Sequence, residues 1–344
     1  VYTPSTGVDQ NMQVVDIHTH FSPERYKEAI RKDGSWYGLD DKVGELHRHG
    51  FTKSIAERIE DMDAIGVDRQ LVTPSVGFYQ YENDLDTATQ IARECNQEMA
   101  EIIDDHPDRF SALGTVPMQD IPTAIDELTR CMTELNLHGV IIGDHVNGQN
   151  YDEPQFLPFF KKAEELGAIL HFHQSGATVV TPRTRRYSLP NGVGNLTERT
   201  LTFAALVFGG IMDKCPKLRP LLAHGGGYTA FGIGRLDKVA GALEGGYPEG
   251  PLTPPFPQAD DQYKLTRPPS TYLGQFYYDC CTFDAKALRF LIDVVGIDRV
   301  MLGTDCPAPM ELLDSVRWIE SLTELTADEK DAILRRNAAE LLAR

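Results

Sequence analysis

The sequence has no apolar run near the roughly 18 residues that cross a bilayer, so no membrane-spanning helix is expected. It has no run of Lys or Arg either. Acidic residues number 51 against 33 basic ones, a net charge of −18, which argues against a nucleic-acid partner. The six cysteines (Cys95, Cys131, Cys215, Cys280, Cys281 and Cys306) are scattered and form no CxxC pair. That excludes the disulfide framework of a small secreted domain and leads us to expect reduced thiols in a cytoplasm. The opening residues VYTPSTGVDQNMQ show no basic start followed by an apolar core, so no secretory signal is visible. There is no GxSxG elbow of a serine hydrolase, no Gly-rich phosphate loop after the first apolar run, and no internal repeat.

What is present is an ordinary globular composition: 344 residues, 41% hydrophobic and 24% charged, enough to bury a large core. Eight short apolar runs alternate with helical patterns: 12–20, 69–75, 111–117, 138–144, 168–174, 219–225, 275–281 and 299–305. Such alternation predicts a parallel sheet with helical crossovers, and eight repeats predict closure into an α/β (β/α)8 TIM barrel. An open doubly wound sheet is the alternative. Length alone suggests two domains, but α/β barrels of about 250 residues and more form one. Residues 1–344 therefore read as a single domain, with its core over about 12–310 and C-terminal helices over 311–344. Two stretches break the pattern: residues 21–53 read as a long first loop, and the Pro/Gly-rich 244–273 as a surface excursion.

Ionisable residues gather at the ends of these runs, where barrel active sites lie. His18 and His20 stand two apart on a strand and project to one side, with Asp16 sharing their parity. Paired imidazoles at a strand end suit a Zn²⁺-like ion. The fifth run offers His171 and His173; His173, nearer the end, is the better ligand, and His171 lies in the core or supports a ligand. The sixth ends in His224 followed by three glycines, and the eighth in Asp305. Four strand ends of eight carrying His or Asp is hard to obtain by packing alone. Weaker candidates are Arg48, His47 and His49 in the first loop, Arg235 at a site mouth or a dimer contact, and Phe283, Phe78 and Tyr79 as walls for a ring. Arg58 reads as a surface charge. Cys306 follows Asp305, but adjacent strand residues face opposite ways.

Together the segments VVDIHTHFSPERY, RIEDMDAIGVDRQLVTPS, HPDRFSALGTVPMQD, CPKLRPLLAHGGGYTAFGIGRLDK and YYDCCTFDAKALRFLIDVVGIDRVMLGTDCPAP are specific. Over about residues 12–310 the chain resembles the amidohydrolase-related decarboxylases, the group of aminocarboxymuconate-semialdehyde, γ-resorcylate and 5-carboxyvanillate decarboxylases. The resemblance implies a metal-dependent-hydrolase type of barrel with one divalent metal on His18, His20, His173 and Asp305. It implies that His224 is a catalytic acid/base and that Arg235 reaches a neighbouring subunit's substrate in a homodimer; Arg48 matches a substrate-binding Arg only loosely. The chain departs from the family's pattern at Gln174, Cys306 and Phe283.

The expected activity is non-oxidative decarboxylation of a small hydroxy- or oxo-substituted carboxylic acid, aromatic or derived from ring cleavage. The proton donor is His224, a water on the ion, or Asp305. A hydrolase or hydratase acting on an amide, lactone or unsaturated carboxylate is the alternative, and a ligand-binding barrel without catalysis a third. Such a donor set accepts Zn²⁺, Mn²⁺ or Fe²⁺, with Zn²⁺ expected first and Mn²⁺ next.

Overall fold

A computed structural model of the chain describes residues 12–174, 176–245 and 265–343. Eight strands follow one another: β1 (Val15–Phe21), β2 (Arg69–Pro74), β3 (Phe110–Ala112), β4 (Gly139–Ile142), β5 (Ile169–Phe172), β6 (Arg219–Leu222), β7 (Tyr277–Asp279) and β8 (Val300–Met301). They pair in parallel, in chain order, as β1–β2–β3 and β4–β5–β6–β7–β8. Both seams are closed. Gly114, just past β3, bridges Val140 of β4, and Thr19 of β1 bridges Cys306 beyond β8. Ile17 donates to the Leu302 carbonyl at 2.9 Å and His20 to that of Cys306 at 2.7 Å. Among the described residues no sheet edge is left open, so the sheet is a barrel rather than a doubly wound layer.

The crossovers are α1 (Glu24–Asp33), α2 (His49–Thr52), α3 (Ile55–Ile65), α4 (Leu85–Asp105), α5 (Ile121–Thr133), α6 (Leu157–Leu166), α7 (Leu196–Phe208), α8 (Ile211–Lys214), α9 (Thr229–Gly245) and α10 (Ala285–Val295). The chain closes with α11 (Ser315–Ser321), α12 (Ala327–Asp331) and α13 (Asn337–Leu342), a π turn linking the last two. Local chemistry sets the ends. Ser54 and Glu57 form a capping box on α3, and Gly66, at φ 77°, stops it.

Residues 21–53 are not the open loop that their polarity suggested. They carry α1 and α2, and Tyr26, Trp36 and Leu39 pack with Phe78, Ile91 and Cys95 into a satellite core. Of the excursion 244–273, residues 246–264 lie outside the described residues; its far end is a short 3-10 turn, Pro269–Gln275, that buries Tyr272.

The barrel interior below the site is filled by Val15, Ile17, Leu71, Leu113, Ile169, Leu221 and Met301. Ala338 and Leu341 of α13 belong to the same cluster and plug the N-terminal end. The polar residues are left to the opposite mouth. No helix among the described residues is long and apolar enough to cross a membrane, and all six cysteines are free thiols.

Candidate metal centre

Four imidazoles from three strand ends converge on one carboxylate at the end of a fourth. Asp305 Oδ1 lies 3.3 Å from His18 Nε2, 3.0 Å from His20 Nε2 and 3.8 Å from His173 Nε2, while its Oδ2 lies 3.5 Å from His224 Nε2. The imidazole rings are mutually close: His18 to His173 is 5.1 Å between centroids, His20 to His173 4.7 Å and His173 to His224 4.9 Å. All five are buried. His18, His173, His224 and Asp305 each present one donor atom within 4.8 Å of the others. The Nε2 atoms of His18 and His173 are buried without a well-formed hydrogen bond, so the donor chemistry suits a divalent cation. By distance alone His224 is as near as the three expected imidazoles.

The backbone explains how these groups face one another. The β1–β2 register shifts between Asp16 and Thr19. Val15 and Ile17 therefore point into the interior core, and His18 and His20 into the mouth above it. Asp16 does not share their side: its carboxylate accepts the backbone N–H of His18 at 3.2 Å and the Thr304 hydroxyl at 2.6 Å. It steadies both halves of the site from behind. His224 (φ 57°) and Asp305 (φ 61°) adopt the left-handed region, which is strained for non-glycine residues and recurs where geometry serves function. After His224 only glycine fits. A Cβ on Gly226 would stand 2.7 Å from the Tyr278 ring, and one on Gly227 2.1 Å from the Leu196 carbonyl oxygen.

His171 is fully buried, 4.8 Å ring to ring from His18, with neither ring nitrogen hydrogen-bonded. It lies beneath the cluster, while His173 faces Asp305. Cys306 points away, and burial pushes its thiol up to about 12.

Sequence reasoning missed three supports. Asp279, at the end of β7, accepts His18 Nδ1 and the His224 N–H at 2.7 Å each, and the N–H groups of Gly225 and Cys281 at 2.9 Å each. Its only sequence signal is its place at a strand end, which the neighbouring cysteines obscured. Arg58 is no surface charge. It is buried, donating from Nη1 to the His20 carbonyl at 2.7 Å and from Nε to Gln70 at 2.7 Å. Its place among the acidic residues Glu57, Glu60, Asp61 and Asp63 of α3 concealed that it faces the end of β1. Arg199 of α7, wholly buried, donates to the Phe172 carbonyl at 2.5 Å and pairs with the Asp144 carboxylate.

Protonation follows burial and charge. For His18, burial alone lowers the pKa, yet Asp305 and Asp279 lift it to about 10. Burial takes His20 down and His173 well down, leaving both neutral. Burial opposes ionisation of Asp305, but His18 and its neighbours hold that carboxyl well below its usual range.

The expected substrate residues are not drawn into the cluster. Arg48 caps α2 and pairs with Glu45 at 2.8 Å. Arg235 is exposed on α9, and Phe283 is 46% exposed with φ 57° beyond β7. Phe78 is core. Tyr79 stacks on Tyr81 and lines a cleft of about 730 Å³ between the loops after β2, β4 and β5, its hydroxyl 3.4 Å from the His173 carbonyl.

A closed (β/α)8 barrel with imidazoles and a carboxylate gathered at its C-terminal mouth defines a metal-dependent barrel enzyme. The chain belongs to the amidohydrolase family, whose profile matches residues 15–344. It is 32% identical over 343 residues to the 2-amino-3-carboxymuconate-6-semialdehyde decarboxylase of Dictyostelium discoideum, covering 95% of this chain and 91% of that one. Its fold matches the crystal structure of 5-carboxyvanillate decarboxylase from Sphingomonas paucimobilis with a TM-score of 0.81, at 25% identity over 96% of this chain and 99% of the other. It also matches 5-carboxyvanillate decarboxylase of Novosphingobium aromaticivorans, crystallised with manganese, at a TM-score of 0.79 and 24% identity over 98% and 97% of the two chains.

Proposed function

We propose that the protein is a metal-dependent, non-oxidative decarboxylase, a carboxy-lyase of the amidohydrolase family. Its substrate is a small carboxylic acid with an adjacent hydroxyl or oxo group, aromatic or derived from ring cleavage. The observation that carries the reading is the convergence of His18, His20, His173 and His224 on Asp305 in a buried mouth, in a chain 32% identical to a decarboxylase over nearly its whole length.

In this reading His18, His20, His173 and Asp305 hold the ion, and the chain folds around it as one domain. A divalent ion bound there would supply Lewis-acid polarisation of the substrate's carboxylate and neighbouring oxygen. His224 delivers a proton to the carbon that bears the carboxylate; its imidazole, with Nε2 3.5 Å from Asp305, stands in the buried mouth and is a group able to carry and release a proton. The bond to the carboxyl carbon then breaks, its electron pair stays on the protonated carbon's framework, and CO₂ departs. Asp279 keeps the backbone N–H of His224 and the ring of His18 in register through this step.

Arg48, Arg235 and Phe283, which stand outside the cluster, are the side chains we propose to contact the parts of the substrate away from the metal. Arg235 shares α9 with the exposed Phe231 and Val239, which supports a homodimer in which it meets the neighbouring subunit's mouth. Zn²⁺ is the proposed ion, with Mn²⁺ next, and the free thiols agree with a cytoplasmic location. The test is His224→Asn with metal content measured alongside release of labelled CO₂ from candidate acids. Full metal with turnover lowered about 10²–10⁴-fold supports the assignment; full metal with near wild-type turnover removes it.

A further inference from the structure

Among the described residues two buried arginines hold strand ends in this barrel, and one of the two, Arg199, is ion-paired. Arg199 grips the end of β5 through the Phe172 carbonyl and rests against the Asp144 carboxylate. Arg58 does the same for β1 through the His20 carbonyl, and is only 7% exposed. Its Nε, however, donates to the neutral amide of Gln70, and its Nη2 is buried without a hydrogen bond. Among the described residues no carboxylate forms an ion pair with it. A buried guanidinium with an unpartnered nitrogen is disfavoured, and the nearby carboxyl groups, Asp16 behind Gln70 and Asp61 and Glu311 on the cavity wall, form no ion pair with it.

There is room for an anion. Arg58 lines a cavity of about 70 Å³ with His20, Phe51, Lys53, Pro307 and Glu311 among its walls. That is the space of about two water molecules, or of one ion of three or four heavy atoms. Lys53 brings a second cation, already held to Asp61. Glu311 stands at the wall with its pKa raised by burial and hydrogen-bonded to the Cys306 thiol. The two carboxyl side chains on the lining, Asp61 and Glu311, stand against the two cations Lys53 and Arg58, which favours an anion of one charge, on the Arg58 side, over a dianion.

We propose that this cavity binds a small monovalent oxyanion of the carboxylate type, of the size of formate or bicarbonate, on Nη2 of Arg58. Such an anion completes the ion pair that Gln70 leaves open and fixes the guanidinium that holds the His20 carbonyl. The proposal does not depend on which reaction the metal centre performs.

The experiment titrates the metal-loaded full-length protein with sodium formate and, separately, sodium bicarbonate at constant ionic strength, following the thermal unfolding midpoint. Two variants accompany it: Arg58→Gln removes the charge, and Cys306→Leu fills the cavity while leaving Arg58 in place. Metal content is measured in each. A saturable rise in wild type that weakens at least about tenfold in the variants is the expected result. No saturable rise with either salt overturns the proposal. So does equal affinity in the variants, which would put the anion on the metal centre instead. If Arg58→Gln does not fold, Cys306→Leu decides alone.

Discussion

Replacing Asp279 by Asn probes the site's hidden strut. Each carboxylate oxygen of Asp279 serves two donors: Oδ2 accepts His18 Nδ1 and the His224 N–H, and Oδ1 accepts the N–H groups of Gly225 and Cys281. An amide keeps one oxygen. Whichever way it turns, two buried donors face an NH₂ group. At about 1.5–3 kcal/mol for each hydrogen bond to a charged acceptor, the loss is about 3–6 kcal/mol of stability. His18 has one escape, to move its proton from Nδ1 to Nε2, but that blocks the nitrogen that points at Asp305. Metal affinity then falls about 10–100-fold, the usual effect of losing a hydrogen-bond partner behind a ligand. Urea unfolding of the metal-saturated protein gives the first quantity, and competition with a chromophoric chelator the second. Affinity within about twofold of wild type, with a stability loss under about 1 kcal/mol, would refute the role assigned to Asp279.

Further outcomes follow from other parts of the molecule. Asp144→Asn leaves the buried Arg199 charge unpaired and should cost about 3–5 kcal/mol; an unchanged unfolding midpoint would contradict this. Leu341→Ala opens the plugged end of the barrel, where Leu341 is 1% exposed, and should cost about 2–5 kcal/mol in denaturant unfolding; a negligible change would show that α13 does not seal the core. His18 is held protonated in the metal-free site by Asp305 and Asp279, its pKa lifted to about 10. A metal ligand must be deprotonated, so loading near pH 8 should release about one proton, read by calorimetry in buffers of different ionisation enthalpy. Release that stays at zero would mean His18 is not a ligand or is already neutral.

The barrel and much of its mouth were legible in the sequence because both rest on short-range regularities. Strand-length apolar runs spaced by helices specify the order of β1 to β8, and residues at their ends fall on the catalytic face whatever the loops do. His18, His20, His173, His224 and Asp305 were found in this way. What was not legible depends on which distant groups meet. Asp279 is one acid among many until β6, β7 and β1 come together around it. Arg58 resembles an exposed helical charge until the end of β1 folds over it. The shift in register that turns Ile17 and His18 to the same interior breaks the period-two rule, which is why Asp16 was placed on the wrong side. The segment 21–53 looked like a loop because its apolar residues, Tyr26, Trp36 and Leu39, pack against Phe78 and α4 rather than along one helix face.

The metal centre itself is open to one direct measurement: anomalous diffraction, at the absorption edge of the ion that elemental analysis finds, on crystals of protein purified without chelator. The expected result is a single peak about 2.0–2.2 Å from the nearest imidazole nitrogens and from an Asp305 oxygen, with His18, His20 and His173 as the nitrogen donors. Stoichiometric protein with no peak in the mouth, or a peak elsewhere in the chain, would contradict it.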